Sequence, residues 1–265
     1  MKDYKKIATK CRKKVLEMIH RGQTSHIASN FSVIDIATVL YENLKEGDEV
    51  VWSAGWKSAT IYYFLAKQGK IPYEDLDKFP KPPYLGLAET SVPGVHVSGG
   101  SMGHGLPVAV GMALAKKKLG EEGTIYCIMS DGELNEGTTW EAAMLAAHHK
   151  LDNLVVFIDK NGWQAMGKTD EVLNLDPLGE KFNSFNWEYT GIDGHSYEHL
   201  ENVIKYKNLF EKPHAIICTT VKGFGGQTAC KVFEKGLVYH YKHVDEATFK
   251  EALELLGNDE VRVLS

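Results

Sequence analysis

Two stretches decide the fold: Thr124-Ile125-Tyr126-Cys127-Ile128-Met129-Ser130-Asp131-Gly132-Glu133, and Leu154-Val155-Val156-Phe157-Ile158-Asp159-Lys160-Asn161-Gly162. Each is an unbroken apolar run that ends in a small polar turn. A strand with no polar alternation must be covered on both faces, which is the situation of a parallel strand sandwiched between helices. The segment between them, residues 138–149, carries apolar residues at helical spacing. A third run, Ala215-Ile216-Ile217-Cys218-Thr219-Thr220-Val221, follows a helical pattern near 197–210. Strands alternating with helices predict a doubly wound α/β domain, mainly parallel, with helices on both faces.

The pattern extends outward. A helix rich in small residues is predicted over 103–118. Helices are predicted over 4–21, where Ile7, Cys11, Val15, Met18 and Ile19 recur at helical spacing, over 32–44 with Ser32 as N-cap, and over 57–68. Val50-Val51-Trp52 is a short strand. Residues 79–97, with four prolines, form an irregular loop. There is no internal repeat, linker or low-complexity tract.

The 265 residues, 43% hydrophobic and 25% charged, suffice for a large core without disulfide or zinc staples. A net charge of −5 argues against a broad nucleic-acid-binding face. Cys11, Cys127, Cys218 and Cys230 show no CxxC spacing, so neither a zinc site nor a redox dithiol is signalled. No apolar run is long enough to span a bilayer and the start lacks a signal-peptide core, so the expected location is cytoplasmic, away from membranes.

In a doubly wound sheet, ligands bind beyond the carboxyl ends of the strands. There the first run offers the Asp131 carboxylate and the second the Asn161 amide oxygen, with Gly132 allowing a close approach. Oxygen donors suit Mg²⁺, which is commonly held by one or two carboxylates together with phosphate oxygens. Asp-Gly and Asn-Gly are also ordinary turns; it is the pair, 30 residues apart across a helix and a strand, that points to Mg²⁺ and a diphosphate.

The spacing Asp131-Gly132-(x)28-Asn161 resembles the metal–diphosphate motif of thiamine diphosphate enzymes. The run Ser130-Asp131-Gly132-Glu133-Leu134-Asn135-Glu136-Gly137-Thr138-Thr139-Trp140-Glu141-Ala142-Ala143 resembles its transketolase version. Similar to that family, too, are Val97-Ser98-Gly99-Gly100-Ser101-Met102-Gly103-His104-Gly105, Asp159-Lys160-Asn161-Gly162-Trp163-Gln164, and Thr220-Val221-Lys222-Gly223 with Tyr239-His240. The resemblance implies Mg²⁺ held by Asp131, Asn161 and the Trp163 carbonyl. It implies Ser130, Gly132 and His240 beside the diphosphate, and Gly100, Ser101 and Met102 against the aminopyrimidine. His26 would lie near the reacting carbon and the donor sugar, and Glu136 and Glu141 at an interchain contact linking active sites by proton transfer. On its own, His26 reads as a capping or packing residue and Glu141 as a solvated one.

The resemblance implies transfer of a two-carbon ketol unit from an anionic ketose to an aldose, and that residues 1–265 form a single diphosphate-binding domain. Full-length transketolases resemble this chain only in their N-terminal part. The pyrimidine-binding domain, with its activating glutamate, and the C-terminal domain are then expected on a partner subunit, the two chains forming a heterotetramer. Two departures bear on the donor. Trp56, in Ser53-Ala54-Gly55-Trp56, stands where the family commonly has a histidine that helps hold cofactor and donor. Gly86 falls at a second such histidine. These departures imply a nonstandard ketose, with an altered or differently charged distal group. The alternatives are a subunit of another thiamine diphosphate enzyme, of 2-oxoacid dehydrogenase or deoxyxylulose-phosphate synthase type, and a regulatory subunit without catalytic activity. A nicotinamide-binding Rossmann protein is disfavoured because no GxGxxG follows the first strand.

Overall fold

The structure, a computed structural model, describes residues 2–206, 211–226 and 230–262. Helix α1 (Tyr4–Gly22) opens on Asp3, whose side chain accepts the Lys6 N–H at 3.0 Å, and buries Ala8, Cys11, Val15, Met18 and Ile19 on one stripe. Helix α2 (Ile27–Glu42) is buried all round from Ile27 to Tyr41, as a central helix must be if it is apolar on every face. The sequence expectation that Ser32 caps this helix is overturned. Ser32 lies inside α2, and its hydroxyl donates to the Ser29 carbonyl at 3.1 Å and to Asp159 at 2.6 Å. The helix begins earlier because residues 27–31 are themselves buried by the sheet and neighbouring helices.

Strand β1 (Glu49–Trp52) leads through a 3₁₀ turn (Gly55–Lys57) into α3 (Ser58–Lys67). The irregular stretch expected over 79–97 holds neither helix nor strand. Then come α4 (Gly105–Leu119), β2 (Ile125–Ser130), α5 (Gly137–His148) and β3 (Leu154–Lys160). A small hairpin of β4 (Trp163–Gln164) and β5 (Gly167–Lys168) precedes the short helices α6 (Thr169–Leu173) and α7 (Leu178–Ser184). Strand β6 (Glu188–Asp193), α8 (Tyr197–Lys205), β7 (His214–Thr219), α9 (Val238–Tyr241) and α10 (Glu246–Arg262) complete the order. The later end of the helix expected near 197–210 falls outside the described residues.

Five parallel strands run in the order β1-β2-β3-β7-β6. Side chains alternate across this sheet into two cores. From β2, Tyr126 and Ile128 join the core under α1, α2, α3 and α10, while Ile125, Cys127 and Met129 join the core under α4, α5 and α7. That double burial is why the run lacks polar alternation. Strand β6 escapes the sequence pattern because it is an edge strand, half-exposed and polar. The four cysteines are buried and free.

Candidate cofactor and metal site

Because β2, β3 and β7 are parallel and neighbouring, their carboxyl ends deliver Ser130-Asp131, Asp159-Lys160-Asn161 and Thr220 to one edge; Ser130 pairs with Asp159, and Asp159 with Cys218. After β2 the chain tightens into a 3₁₀ turn (Asp131–Asn135). The Asp131 carboxylate accepts the Gly162 N–H at 2.7 Å and the Gly132 N–H at 3.0 Å, with the Ser130 hydroxyl at 3.3 Å. A Cβ on Gly132 would lie 2.8 Å from Gln164 Cβ, so glycine is required where the two turns cross. Asn161 is buried; its Oδ1 accepts the Trp163 N–H at 3.1 Å and its Nδ2 faces Asp159 Oδ2 at 3.3 Å. Ser130, Asp131, Gly132, Asn161 and Trp163 therefore lie together at one edge.

Burial and the neighbouring Asp159 charge push the Asp131 carboxyl up to about 7, against the Gly162 and Gly132 N–H donors and Lys57. A buried carboxylate held beside a second carboxylate is stabilised by a cation at the same edge. Among the described residues, no group of three or more His, Cys, Asp or Glu side chains is placed to hold a metal. The edge offers the Asp131 carboxylate and the Asn161 amide oxygen, donors that suit a hard divalent cation completing its shell with phosphate oxygens and water. The residues present fit Mg²⁺ and a diphosphate.

His26 and His240 converge beside this edge, their ring centroids 4.7 Å apart, with the His26 N–H donated to the His240 carbonyl at 3.2 Å. His26 occupies the N-cap position of α2 at φ 71°, a left-handed conformation unusual for a residue with a side chain and a mark of functional sites. Burial, then the Lys222 and Lys57 charges, lowers the His26 imidazole to about 4. Burial, Lys222, His26 and Lys57 lower His240 to about 3. Lys222 lies 3.0 Å from His240 Nδ1, and burial with the Lys57 charge brings it down to about 8, against the pull of Asp131 and Asp159.

The glycine-rich loop is anchored by the Gly99 N–H donating to the Ala88 carbonyl at 2.6 Å. Gly100 and Ser101 are exposed and Met102 half-buried, and Gly103 donates its N–H to Glu133 at 3.2 Å. Half-buried Trp56 lies in the 3₁₀ turn that crosses this loop, where Gly55 and Gly99 pack backbone to backbone. Glu136 sits half-buried at the N-terminus of α5 and Glu141 is exposed on that helix; neither side chain hydrogen-bonds to the Asp131–Asn161 cluster.

Four buried side chains of the site were not singled out from sequence. Asp159 accepts from Lys57, Ser32 and Thr220; Lys57 and Lys222 bring two cations; Glu133 accepts from Ser53, from the Ser130 N–H at 2.8 Å and from Gly103. Burial pushes Asp159 up, but Lys57 and the donated hydrogen bonds outweigh it and hold the carboxyl below its ordinary value. Asp159, Lys222 and Glu133 stood inside quoted motifs, whereas Lys57 gives no sequence signal.

The class is a parallel α/β domain that gathers buried polar side chains at the carboxyl ends of its strands. Residues 4–248 match the family model "Transketolase, thiamine diphosphate binding domain", and the chain belongs to the transketolase family. It is 37% identical over 217 residues to an apulose-4-phosphate transketolase subunit of Actinobacillus succinogenes, covering 76% of this chain and 77% of that one. It is 34% identical over 257 residues to 6-deoxy-6-sulfo-D-fructose transketolase subunit SqwG of Clostridium sp., covering 91% and 92%. Its fold superposes on the transketolase of Campylobacter jejuni with a TM-score of 0.89 at 29% identity, covering 96% of this chain and 42% of that one. The family and fold expected from the motifs are those found. No helix among the described residues is long and apolar enough to cross a membrane.

Proposed function

We propose that this chain is the diphosphate-binding subunit of a two-chain transketolase that moves a two-carbon ketol unit from an anionic ketose to an aldose. The observation that carries the reading is the meeting of buried Asp131 and Asn161 at the ends of two adjacent parallel strands. Asp131, Asn161 and the Trp163 carbonyl would hold Mg²⁺, with the diphosphate against Ser130, Gly132 and His240. Thiamine diphosphate, when bound, supplies the electron sink for breaking and re-forming the bond beside the ketose carbonyl. The chain's own part is placement: strand ends fix the ligands, and the His26 and His240 imidazoles stay neutral so that they can donate and accept hydrogen bonds at neutral pH.

Residues 1–265 form one diphosphate-binding domain in this reading. The activating glutamate and the aminopyrimidine pocket come from a partner chain in a cytoplasmic heterotetramer. Exposed Glu141 and half-buried Glu136 on α5 suit a contact with another chain, and relatives of matching length bear subunit names. Gly100, Ser101 and Met102, on an open loop, would meet the aminopyrimidine. Trp56 and Gly86 in place of imidazoles favour a nonstandard ketose, a reading supported by relatives named for apulose 4-phosphate and 6-deoxy-6-sulfo-D-fructose.

The test is turnover by the purified chain with and without its partner, against a panel of ketoses that includes xylulose 5-phosphate. Activity is expected only in the complex, with kcat/KM for xylulose 5-phosphate at least about tenfold below the best donor, a modest pocket discrimination. Turnover by the chain alone overturns the two-chain reading, and xylulose 5-phosphate as best donor overturns the nonstandard-donor reading. A complex that binds no cofactor would favour a regulatory role.

A further inference from the structure

We propose that Lys57 is a positioning residue for Asn161, acting through Asp159. The inference rests on the reading of Asn161 as a metal ligand. Lys57 ends the 3₁₀ turn before α3 and is wholly buried, so it is not available to a substrate. Its ammonium donates to Asp159 Oδ2, itself wholly buried. The same Oδ2 accepts from Ser32 on α2 at 2.6 Å and faces Asn161 Nδ2 at 3.3 Å, while Oδ1 accepts from Thr220 beyond β7. The carboxylate is therefore clamped from three elements and presents a fixed acceptor to the Asn161 amide.

That acceptor sets which end of the amide faces the metal side. A carboxamide has two orientations of nearly equal shape, and only its oxygen can ligate a cation. With Nδ2 drawn to Asp159 and also toward the Asp159 carbonyl at 3.4 Å, Oδ1 is left on the side of the Trp163 N–H. The flipped amide would set oxygen against carboxylate and NH₂ against N–H. Without Lys57, Oδ2 loses its one charged donor and the carboxylate can swing away from Asn161.

The test counts free Mn²⁺ by electron paramagnetic resonance over the complex of this chain with its partner, supplied with thiamine diphosphate. Partners that orient a metal ligand typically contribute about ten- to a hundredfold in metal affinity, and Lys57→Met is expected to weaken Mn²⁺ binding by that factor. Removing one member of a buried pair also destabilises, whereas removing both charges often does not. The double variant Lys57→Met/Asp159→Asn is therefore expected to melt close to the parent yet still bind Mn²⁺ weakly, because an amide at 159 can offer Asn161 either end. Parental Mn²⁺ affinity in either variant overturns the proposal. If neither variant gives a folded complex, the pair is structural and the proposal falls. Failure of the parent complex to take up Mn²⁺ removes the metal-site reading itself, a result distinct from unchanged uptake in the variants.

Discussion

Half-buried His26 and buried His240 meet edge to face, with Lys222 3.0 Å from His240, and both are held neutral at physiological pH. Their imidazoles titrate at about 4 and about 3, below the ordinary value of 6.5. A group with a lowered folded-state pKa contributes stability that is complete above its unfolded value and is lost as pH falls toward its folded one. The pair is thus neutral toward folding above pH 6.5 and opposes it progressively as pH falls below that value. Carbon-labelled histidine NMR should find both rings neutral at pH 5.5. Lys222→Met should raise the His240 value, since it removes a nearby positive charge and the donor on Nδ1. A ring protonated at pH 5.5 in the parent chain would contradict this. At this scale the sequence was partly legible. Asp131 and Asn161 stood out because each sits at a fixed offset past an apolar run. Lys57 did not, because an isolated lysine ordinarily reads as a solvated residue, and only the tertiary fold sets it against Asp159.

Among elements, the 3₁₀ turn crosses the glycine-rich loop in a close backbone-to-backbone contact near the site. A Cβ on Gly55 would sit 2.3 Å from Gly99 Cα, and one on Gly99 2.6 Å from Gly55 Cα. Either alanine must part the two backbones, and overpacking of this kind costs about 1–3 kcal/mol. At roughly 2–4 °C per kcal/mol for a chain of this size, melting should drop by several degrees. Gly111→Ala on α4, where a Cβ meets nothing within 4 Å, should hold or raise the melting temperature as a control. Equal melting of all three variants by calorimetry would show that the contact is slack. Elements buried on both faces were legible from their apolar runs. The start of α2 was misplaced because Ser32 resembles a cap and is instead a buried donor to Asp159. Strand β6 was invisible because an edge strand with one wet face carries no such run.

As a whole, the molecule is a parallel sheet between two cores whose polar cluster lies at strand ends, and it covers 42% of the Campylobacter jejuni transketolase chain it superposes on. The proposed partner chain cannot be read from packing within this one, so the family motifs alone raised it. The central claim is that Asp131 and Asn161 form one half of a cofactor site completed by another chain. Its most direct test is calorimetric titration of thiamine diphosphate with Mg²⁺ into the chain alone, the chain with its partner, and the same complex carrying Asp131→Ala. Saturable binding only in the parent complex, lost with Asp131→Ala, is the predicted result. Equal binding by the complex carrying Asp131→Ala would contradict it.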